Sequence, residues 1–316
     1  MKGKYDAQSV RISYPMSFII PCYPPDYKTL NNTISKLKCR YPFLRTGVLG
    51  HSLCFRRIPF LSFGRAENPV VIAAGFHAQE WITVLVLLNF IENLCNAAQS
   101  RKSLCGIDVG GALSRREVIF VPCVNPDGVE VALKGAASAG KWKKFIEKVS
   151  DNDLSDWNAN AGGVDINHNF NAGWHMSRKL EIESGITEPS PRRFGGHTPE
   201  SEPETQALTN LCRNRQPCHA VALHSQGEEI FCEYGKHTPE KGKHLAKLFC
   251  VSSGYTLVQN EGLYSHAGFK DWFIEEFHRP AFTFELGKGK NPLPSSDFEE
   301  IYSKIEEALV LACILQ

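Results

Sequence analysis

Short, fully apolar runs that alternate with helical patterns constrain the fold of this chain most. The run VVIAA at 70–74 ends at Gly75. A continuous run of this kind is typical of a strand that is buried on both faces of a sheet. The next segment, Glu80 to Ala98, has apolar residues around almost its whole circumference, which predicts a helix packed against that sheet.

Further strands and helices are predicted along the rest of the chain. Apolar runs recur at 118–121, 220–223 and 281–286. Apolar residues at steps of three and four predict a helix between Tyr27 and Leu37, and another after Asp297. Because strands alternate with helices, we predict an α/β fold.

The chain shows no sign of a boundary between domains. Its 316 residues fit one α/β domain, and we predict a single catalytic domain over residues 1–316. Polar stretches at 134–163 and 184–200 are expected to be long surface loops rather than linkers. Ser201, with Glu204 three positions later, predicts a capping box at the start of a helix.

Composition narrows the possible partners and compartments. Thirty-five Lys plus Arg against 34 Asp plus Glu give a formal charge of +1, too little to attract nucleic acid or an anionic membrane. The N-terminus lacks a secretory apolar stretch, and the segment from Ile82 to Ile91 is too short to span a bilayer. Eleven cysteines without a C-x-x-C pair favour reduced thiols. We therefore expect a cytoplasmic protein with no membrane span and no nucleic-acid partner.

His77 and Glu80 form the first candidate site. They follow the first buried strand, where both side chains can face one cleft. An imidazole and a carboxylate suit Zn²⁺, and a catalytic zinc needs a third protein ligand and one open position. The alternative is a glutamate at a helix start beside a surface histidine.

Two more residues lie at the ends of predicted buried strands. His224 follows the apolar run at 220–223, and Glu285 lies within the run at 281–286. Ligands bind at strand ends in open α/β sheets. A glutamate in such a strand is costly to bury unless it is paired or used. A carboxylate neutralised by a buried cation is the structural alternative for Glu285.

The ordered motifs FHAQEW, NPDG, GVDINHNF, HSQG and FTFELGKGKNPLP resemble the M14 zinc metallocarboxypeptidase family. The resemblance covers nearly the whole chain. Within the family, NANAGGVDINHNFNAGW, HAGFKDWF and GKNPLP are most similar to the bacterial branch that cleaves γ-D-glutamyl-diaminopimelate bonds. The resemblance implies a mixed, twisted sheet of about eight strands flanked by helices, with zinc above the strand ends.

The resemblance also implies roles for individual residues. His77, Glu80 and His224 would bind one Zn²⁺ per chain, and Glu285 would be the general base that activates the metal-bound water. Asp165 would orient the first histidine. Its alternative role is that of a turn-forming aspartate.

Four residues are implied to contact the substrate. Asn167 matches the family residue that binds the substrate's terminal carboxylate, and Tyr264 matches the tyrosine that covers the bound substrate. Lys270 aligns with the position facing the specificity pocket, where a lysine suits an acidic group. A solvated loop lysine is the alternative.

His168 is the fourth, and it marks the first of two departures from the digestive enzymes. It replaces an arginine and cannot offer a bidentate fork to a free C-terminus. The family's oxyanion-stabilising arginine would fall at Asn158 or at Lys143, depending on which tryptophan precedes it. The guanidinium is absent at either position, so the charge of the oxyanion would depend more on zinc.

Three functions are compatible with the sequence. The leading hypothesis is a zinc peptidase that hydrolyses murein-derived peptides at the γ-D-glutamyl-meso-diaminopimelate bond. One alternative is a carboxypeptidase that removes acidic C-terminal residues from ordinary peptides. The other is a zinc-containing, non-catalytic peptide-binding protein. In each case the partner is a peptide, and the sequence leaves the oligomeric state open.

Overall fold

The computed structural model of this protein describes residues 23–258 and 266–315. The helices are α1 (Tyr27–Arg40), α2 (Trp81–Ser100), α3 (Val109–Ala112), α4 (Pro126–Lys134), α5 (Lys143–Val149), α6 (Trp174–Glu183), α7 (Pro203–Arg215), α8 (Glu240–Ser253), α9 (Phe269–Phe277) and α10 (Phe298–Ile314). The strands are β1 (Arg45–His51), β2 (Arg57–Gly64), β3 (Val70–Ala73), β4 (Glu117–Val121), β5 (His219–His224), β6 (Glu229–Phe231), β7 (Thr256–Val258) and β8 (Ala281–Glu285).

The eight strands form one mixed sheet in the order β1-β2-β4-β3-β5-β8-β6-β7. The four central strands, β4, β3, β5 and β8, run parallel to one another. Antiparallel pairs join β2 to β4 and β6 to β8 on either side of them. The predicted fold class, a mixed eight-stranded sheet flanked by helices, is confirmed.

Both faces of the central strands are covered, which explains their continuous apolar runs. In β3, Val70 and Ile72 pack in one core with α2, α8 and α10, whereas Val71 and Ala73 pack in a second core with α7 and α9. All four residues are buried. Because neither face meets water, every position of the strand is apolar.

Helix α2 is the most apolar helix and lies in the first core. It has 20 residues and is long and apolar enough to cross a membrane by length and composition, and 78% of its apolar window is buried inside the fold. The segment from Ile82 to Ile91 was expected to be too short for a membrane span, but the helix that contains it is longer than this segment and does have the length of a span. Packing on the sheet accounts for its apolar surface.

Two local predictions differ from the structure. The stretch at 134–163 is not a plain surface loop, because it contains α5 and the fully buried Trp157. The capping box at Ser201 does not form: the N-cap of α7 is Glu202, and Ser201 Oγ donates instead to its carboxylate at 2.8 Å. Glu204 lies in the first turn of α7, but its carboxylate is fully buried and accepts from Asn160 Nδ2 at 3.3 Å.

Candidate metal centre and active site

The carboxyl ends of three adjacent parallel strands build the site. His77 and Glu80 lie in the connection from β3 to α2, His224 is the last residue of β5, and Glu285 is the last residue of β8. His224 and Glu285 are paired across β5 and β8, so their Cα atoms lie on neighbouring strands, about 4.8 Å apart. Because these strand ends share one edge of the sheet, residues remote in sequence converge there.

The backbone of the connection that contains His77 is held by contacts with neighbouring side chains. Gly75 has a φ of 64°, and an added Cβ there would lie 2.9 Å from Val84 Cγ2, so glycine suits this turn. Asn125 Nδ2 donates to the Phe76 carbonyl at 3.0 Å. These contacts fix the chain on the N-terminal side of His77, which helps to place its ring.

His77, Glu80 and His224 form a compact group of potential metal ligands. One ligand atom from each lies within 4.8 Å of the others. His77 Nδ1 lies 2.8 Å from Glu80 Oε1, and His224 Nδ1 lies 2.9 Å from Glu80 Oε2. Two imidazole nitrogens and a carboxylate are a donor set that suits Zn²⁺, and three protein ligands leave a position for water or substrate. The residues present therefore fit a catalytic zinc.

The side chains of this group shift one another's pKa values. Burial alone would raise the pKa of Glu80, but the two imidazoles outweigh it and lower that pKa to about 2. Burial opposes protonation of His77, yet the carboxylates of Glu80 and Asp165 raise its pKa well above the usual value. Burial lowers the pKa of His224. Glu80 is thus held as an anion, as a metal ligand must be.

Asp165 contacts the ring nitrogen of His77 that faces away from Glu80. His77 Nε2 and Asp165 Oδ1 are 3.1 Å apart, and the other oxygen of Asp165 accepts from the Arg193 backbone N–H at 2.9 Å. Burial would raise the pKa of Asp165, but His77 and His168 lower it well below its usual range. An ionised carboxylate here fixes the ring with Nδ1 directed at the metal position.

Glu285, the last residue of β8, has a half-buried side chain. Burial and the negative charge of Glu80 raise its pKa well above the usual value, while His77 lowers it. The structural alternative, in which a buried cation neutralises Glu285, does not apply to the described residues, because none of them forms an ion pair with it. Its neighbours are the metal-site residues, which fits a proton acceptor.

The predicted substrate residues lie in three different environments. Asn167 Oδ1 accepts from the Phe269 backbone N–H at 3.0 Å, and its Nδ2 has no partner in the part of the chain described. His168 is buried, with Nδ1 3.6 Å from Glu181 Oε1. Tyr264 lies outside the described residues. Their roles toward substrate stay predictions.

Lys270 is buried and ion-paired rather than free. Its side chain is 3% exposed, donates to the Glu233 carbonyl at 2.7 Å and contacts the Asp271 carboxylate. Lys270 is therefore not the solvated loop lysine of the alternative interpretation. Its charge is already compensated, so a substrate carboxylate would have to share this ammonium with Asp271.

The structure distinguishes the two candidate positions for the missing oxyanion arginine. Asn158 lies beside the metal site, because its carbonyl accepts from the backbone N–H of Ala78, next to His77, at 3.0 Å. Its side-chain Oδ1 is buried with no partner among the described residues. Lys143 lies exposed on α5, with its Nζ 3.6 Å from Glu147 Oε1. Of the two positions, Asn158 is therefore the one that lies next to the metal-site segment, and its equivalence to the arginine stays a prediction.

Sequence reasoning missed one residue that contacts the metal ligands. Asn291 lies in the loop after β8, and its Nδ2 is 3.4 Å from Glu80 Oε1. The only signal was its place in the motif GKNPLP, to which no role was given.

Comparisons with known proteins agree with this geometry. The family model "Zinc carboxypeptidase" matches residues 30–308. Gamma-D-glutamyl-L-diamino acid endopeptidase 1 of Lysinibacillus sphaericus is 36% identical over 281 residues, which cover 88% of this chain and 69% of that protein. Murein peptide amidase A of Escherichia coli (strain K12) is 30% identical over 204 residues, 64% of each chain.

A solved structure shows the same fold. Bovine thrombin-activatable fibrinolysis inhibitor, in complex with tick carboxypeptidase inhibitor, superposes with a TM-score of 0.72 at 20% identity, over 93% of this chain and 97% of that one. The family match over most of the chain, together with the clustered His77, Glu80 and His224, leads to one conclusion: this chain belongs to the M14 zinc carboxypeptidase family and is a zinc metallopeptidase.

Proposed function

We propose that this protein hydrolyses murein-derived peptides at the amide bond between γ-D-glutamate and meso-diaminopimelate. The observation that supports this most is the 36% identity over 88% of the chain to a γ-D-glutamyl-L-diamino acid endopeptidase, with the three clustered side chains of His77, Glu80 and His224 present. The 30% identity to a murein peptide amidase supports the same substrate class.

The proposed chemistry follows from where the side chains lie. His77, Glu80 and His224 would hold one zinc ion, which when bound polarises the scissile carbonyl and acidifies water. Glu285 would take a proton from the attacking water and pass it to the leaving amine. Asp165 would keep Nδ1 of His77 directed at the metal.

Two features of the site support an unusual amide substrate. A buried His168 beside Glu181 offers no guanidinium fork to a free C-terminal carboxylate. In this proposal Asn158 stands where the family has the oxyanion arginine, so the side chains near the scissile bond would contribute less positive charge. A substrate that does not depend on a clamped α-carboxylate fits such a site better than an ordinary peptide C-terminus does.

A direct test compares matched peptides with the zinc-loaded protein. One is L-Ala-γ-D-Glu-meso-diaminopimelate, and the other has the same length with an α-linked L-Glu at its C-terminus. Mass spectrometry of the products should show cleavage between D-Glu and diaminopimelate, and little cleavage of the second peptide. Release of L-Glu from the second peptide, with the first peptide left intact, would establish the carboxypeptidase alternative instead.

The non-catalytic alternative makes a different prediction for the same experiment. If the protein holds zinc and binds the γ-linked peptide, yet neither peptide is cleaved, it is a binding protein. Glu285→Gln serves as the negative control, because it should retain zinc and bind peptide without turnover. The cytoplasmic location and the stoichiometry of one zinc per chain remain predictions.

A further inference from the structure

Asn291 connects two of the segments that contain the potential metal ligands. Its Nδ2 donates to the Ser225 carbonyl at 2.6 Å, directly after His224, and lies 3.4 Å from Glu80 Oε1. Ser225 Oγ in turn donates to Asn291 Oδ1 at 2.8 Å. The end of β5, the start of α2 and the loop after β8 therefore meet at one amide.

The orientation of this amide is determined by its partners. The Ser225 carbonyl can only accept a hydrogen bond, so the Asn291 atom that faces it must be Nδ2. The hydroxyl of the same serine then donates to Oδ1. With one N–H directed at the Ser225 carbonyl, the second N–H is available to Glu80.

Glu80 depends on side chains outside its own helix for its orientation. It is the N-cap of α2, yet its carboxylate makes no capping hydrogen bond. Among the described residues its carboxylate is contacted by His77, His224 and Asn291. The two imidazoles are themselves potential ligands, so Asn291 is the contact that would remain once both imidazoles bind a metal.

We propose that Asn291 is a positioning residue for the metal centre, which orients the Glu80 carboxylate and ties it to the strand end that contains His224. This rests on the metal site of the proposed function, but not on the identity of the substrate. Partners of this type commonly contribute 10- to 100-fold to metal affinity. A half-buried amide that donates to a ligating carboxylate is expected to lie within that range.

The test measures zinc affinity directly, by competition with a chromophoric chelator, in Asn291→Ala, Ser225→Ala and the wild type. We expect Asn291→Ala to raise the zinc Kd by about 10- to 100-fold. Ser225→Ala should raise it less, because Asn291 keeps its bond to the Ser225 carbonyl. In the double variant, Ser225→Ala should add little, because its hydroxyl acts through the Asn291 amide.

A spectrum separates positioning from a general loss of stability. Cobalt(II) substituted into the wild type and Asn291→Ala should give different visible absorption bands, because the Glu80 carboxylate changes its geometry at the metal. Asn93→Ala is the matched control. Asn93 is also a half-buried amide that donates to a carboxylate, Glu306 at 3.0 Å, but this bond joins α2 to α10, away from the metal ligands. It should lower thermal stability and leave zinc affinity and the cobalt spectrum unchanged.

The proposal is overturned if Asn291→Ala binds zinc within twofold of the wild type and its cobalt spectrum is unchanged. If Asn291→Ala does not fold, Ser225→Ala decides, and an unchanged zinc Kd there overturns the proposal. Failure of the proposed function has a different signature. A wild type that binds zinc tightly but cleaves no murein peptide refutes the substrate and leaves the role of Asn291 intact.

Discussion

Two groups of side chains in this protein bury carboxyl groups, and they limit the cost of burying a negative charge in different ways. In the metal site, Glu80 faces two imidazoles and its pKa falls to about 2. In the second group, here called the acid cluster, Asp127, Glu202 and Glu204 are buried close to one another. Burial and its two acidic neighbours raise the pKa of Glu204 to about 8.

The partners explain the difference. In the acid cluster, Arg56 donates to Asp127 at 2.6 Å, while Glu202 and Glu204 share the amide of Asn160. The Arg56 guanidinium is directed at Asp127, so Glu204 avoids a costly buried charge by remaining protonated below its pKa of about 8. The metal site keeps the buried Glu80 carboxylate ionised, because two imidazoles face it. The partners of a buried acid, and not burial alone, therefore decide whether it stays charged.

The largest effect is expected from Glu285→Gln, which tests whether the metal site is a working active site. Glutamine keeps the size of the side chain but cannot accept the proton of the attacking water. Turnover should fall by about 10²- to 10⁴-fold while zinc remains bound. Steady-state kinetics with metal analysis checks this. The control is Glu229→Gln, which replaces the residue paired with Glu285 across β6 and β8. Near-normal activity in Glu285→Gln would exclude Glu285 as the general base.

Asp165→Asn tests the charge that orients His77. Without the carboxylate charge, the ring is held less firmly with Nδ1 toward the metal. Zinc affinity should fall by about 10- to 100-fold, measured by chelator competition. Asp153→Asn, at an exposed aspartate, should leave affinity unchanged. An unchanged Kd in Asp165→Asn would show that Asp165 is only a turn residue.

Glu204→Gln tests the acid cluster through the pH dependence of stability. Since the pKa rises from 4.5 to about 8 on folding, the native state binds the extra proton between these values. The wild type should therefore lose stability as pH rises through this range, by up to roughly 1.4 kcal/mol per pH unit for this group. Glutamine stays neutral, so the variant should gain stability relative to the wild type as pH rises.

Urea unfolding at several pH values between 5 and 8.5 measures this difference. Comparing the two proteins at each pH cancels the contributions of other titrating groups. One such group is the buried His219, because burial lowers its pKa to about 4. A stability difference that does not change with pH would mean that Glu204 is not protonated in the native state.

The smallest effect is expected at Lys270. Because Asp271 already compensates its ammonium, Lys270→Ala should reduce kcat/KM for substrates with an acidic group at that subsite only several-fold more than for neutral ones. Measuring both substrate types with the same preparation gives the ratio. An equal loss on both would refute a role in substrate selection and leave a structural ion pair.

The elements built from continuous apolar runs were predictable, and the half-exposed ones were not. β3, β5 and β8 have no polar face, so their runs identify them. β1 is half-exposed along its length, and β6 and β7 have three residues each, too few for a periodic signal. Such strands exist because the neighbouring strand offers hydrogen bonds.

In the site, too, some features were predictable from the sequence and others were not. Strand ends indicated that His224 and Glu285 would lie near the His77 segment, because parallel strands share an edge. The pairing of Lys270 with Asp271 was not predictable, since adjacent residues of a helix do not usually face each other. Here they meet because Asp271 turns back to the Gly268 backbone N–H at the start of α9.

The central claim is that the Nδ1 atoms of His77 and His224 bind the same zinc ion as the carboxylate of Glu80. Anomalous diffraction from crystals of the zinc-loaded protein, recorded on both sides of the zinc absorption edge, tests it most directly. We predict a peak within about 2.0–2.3 Å of all three side chains, close to Glu285. A zinc peak bound elsewhere, with these three side chains unliganded, would contradict the account.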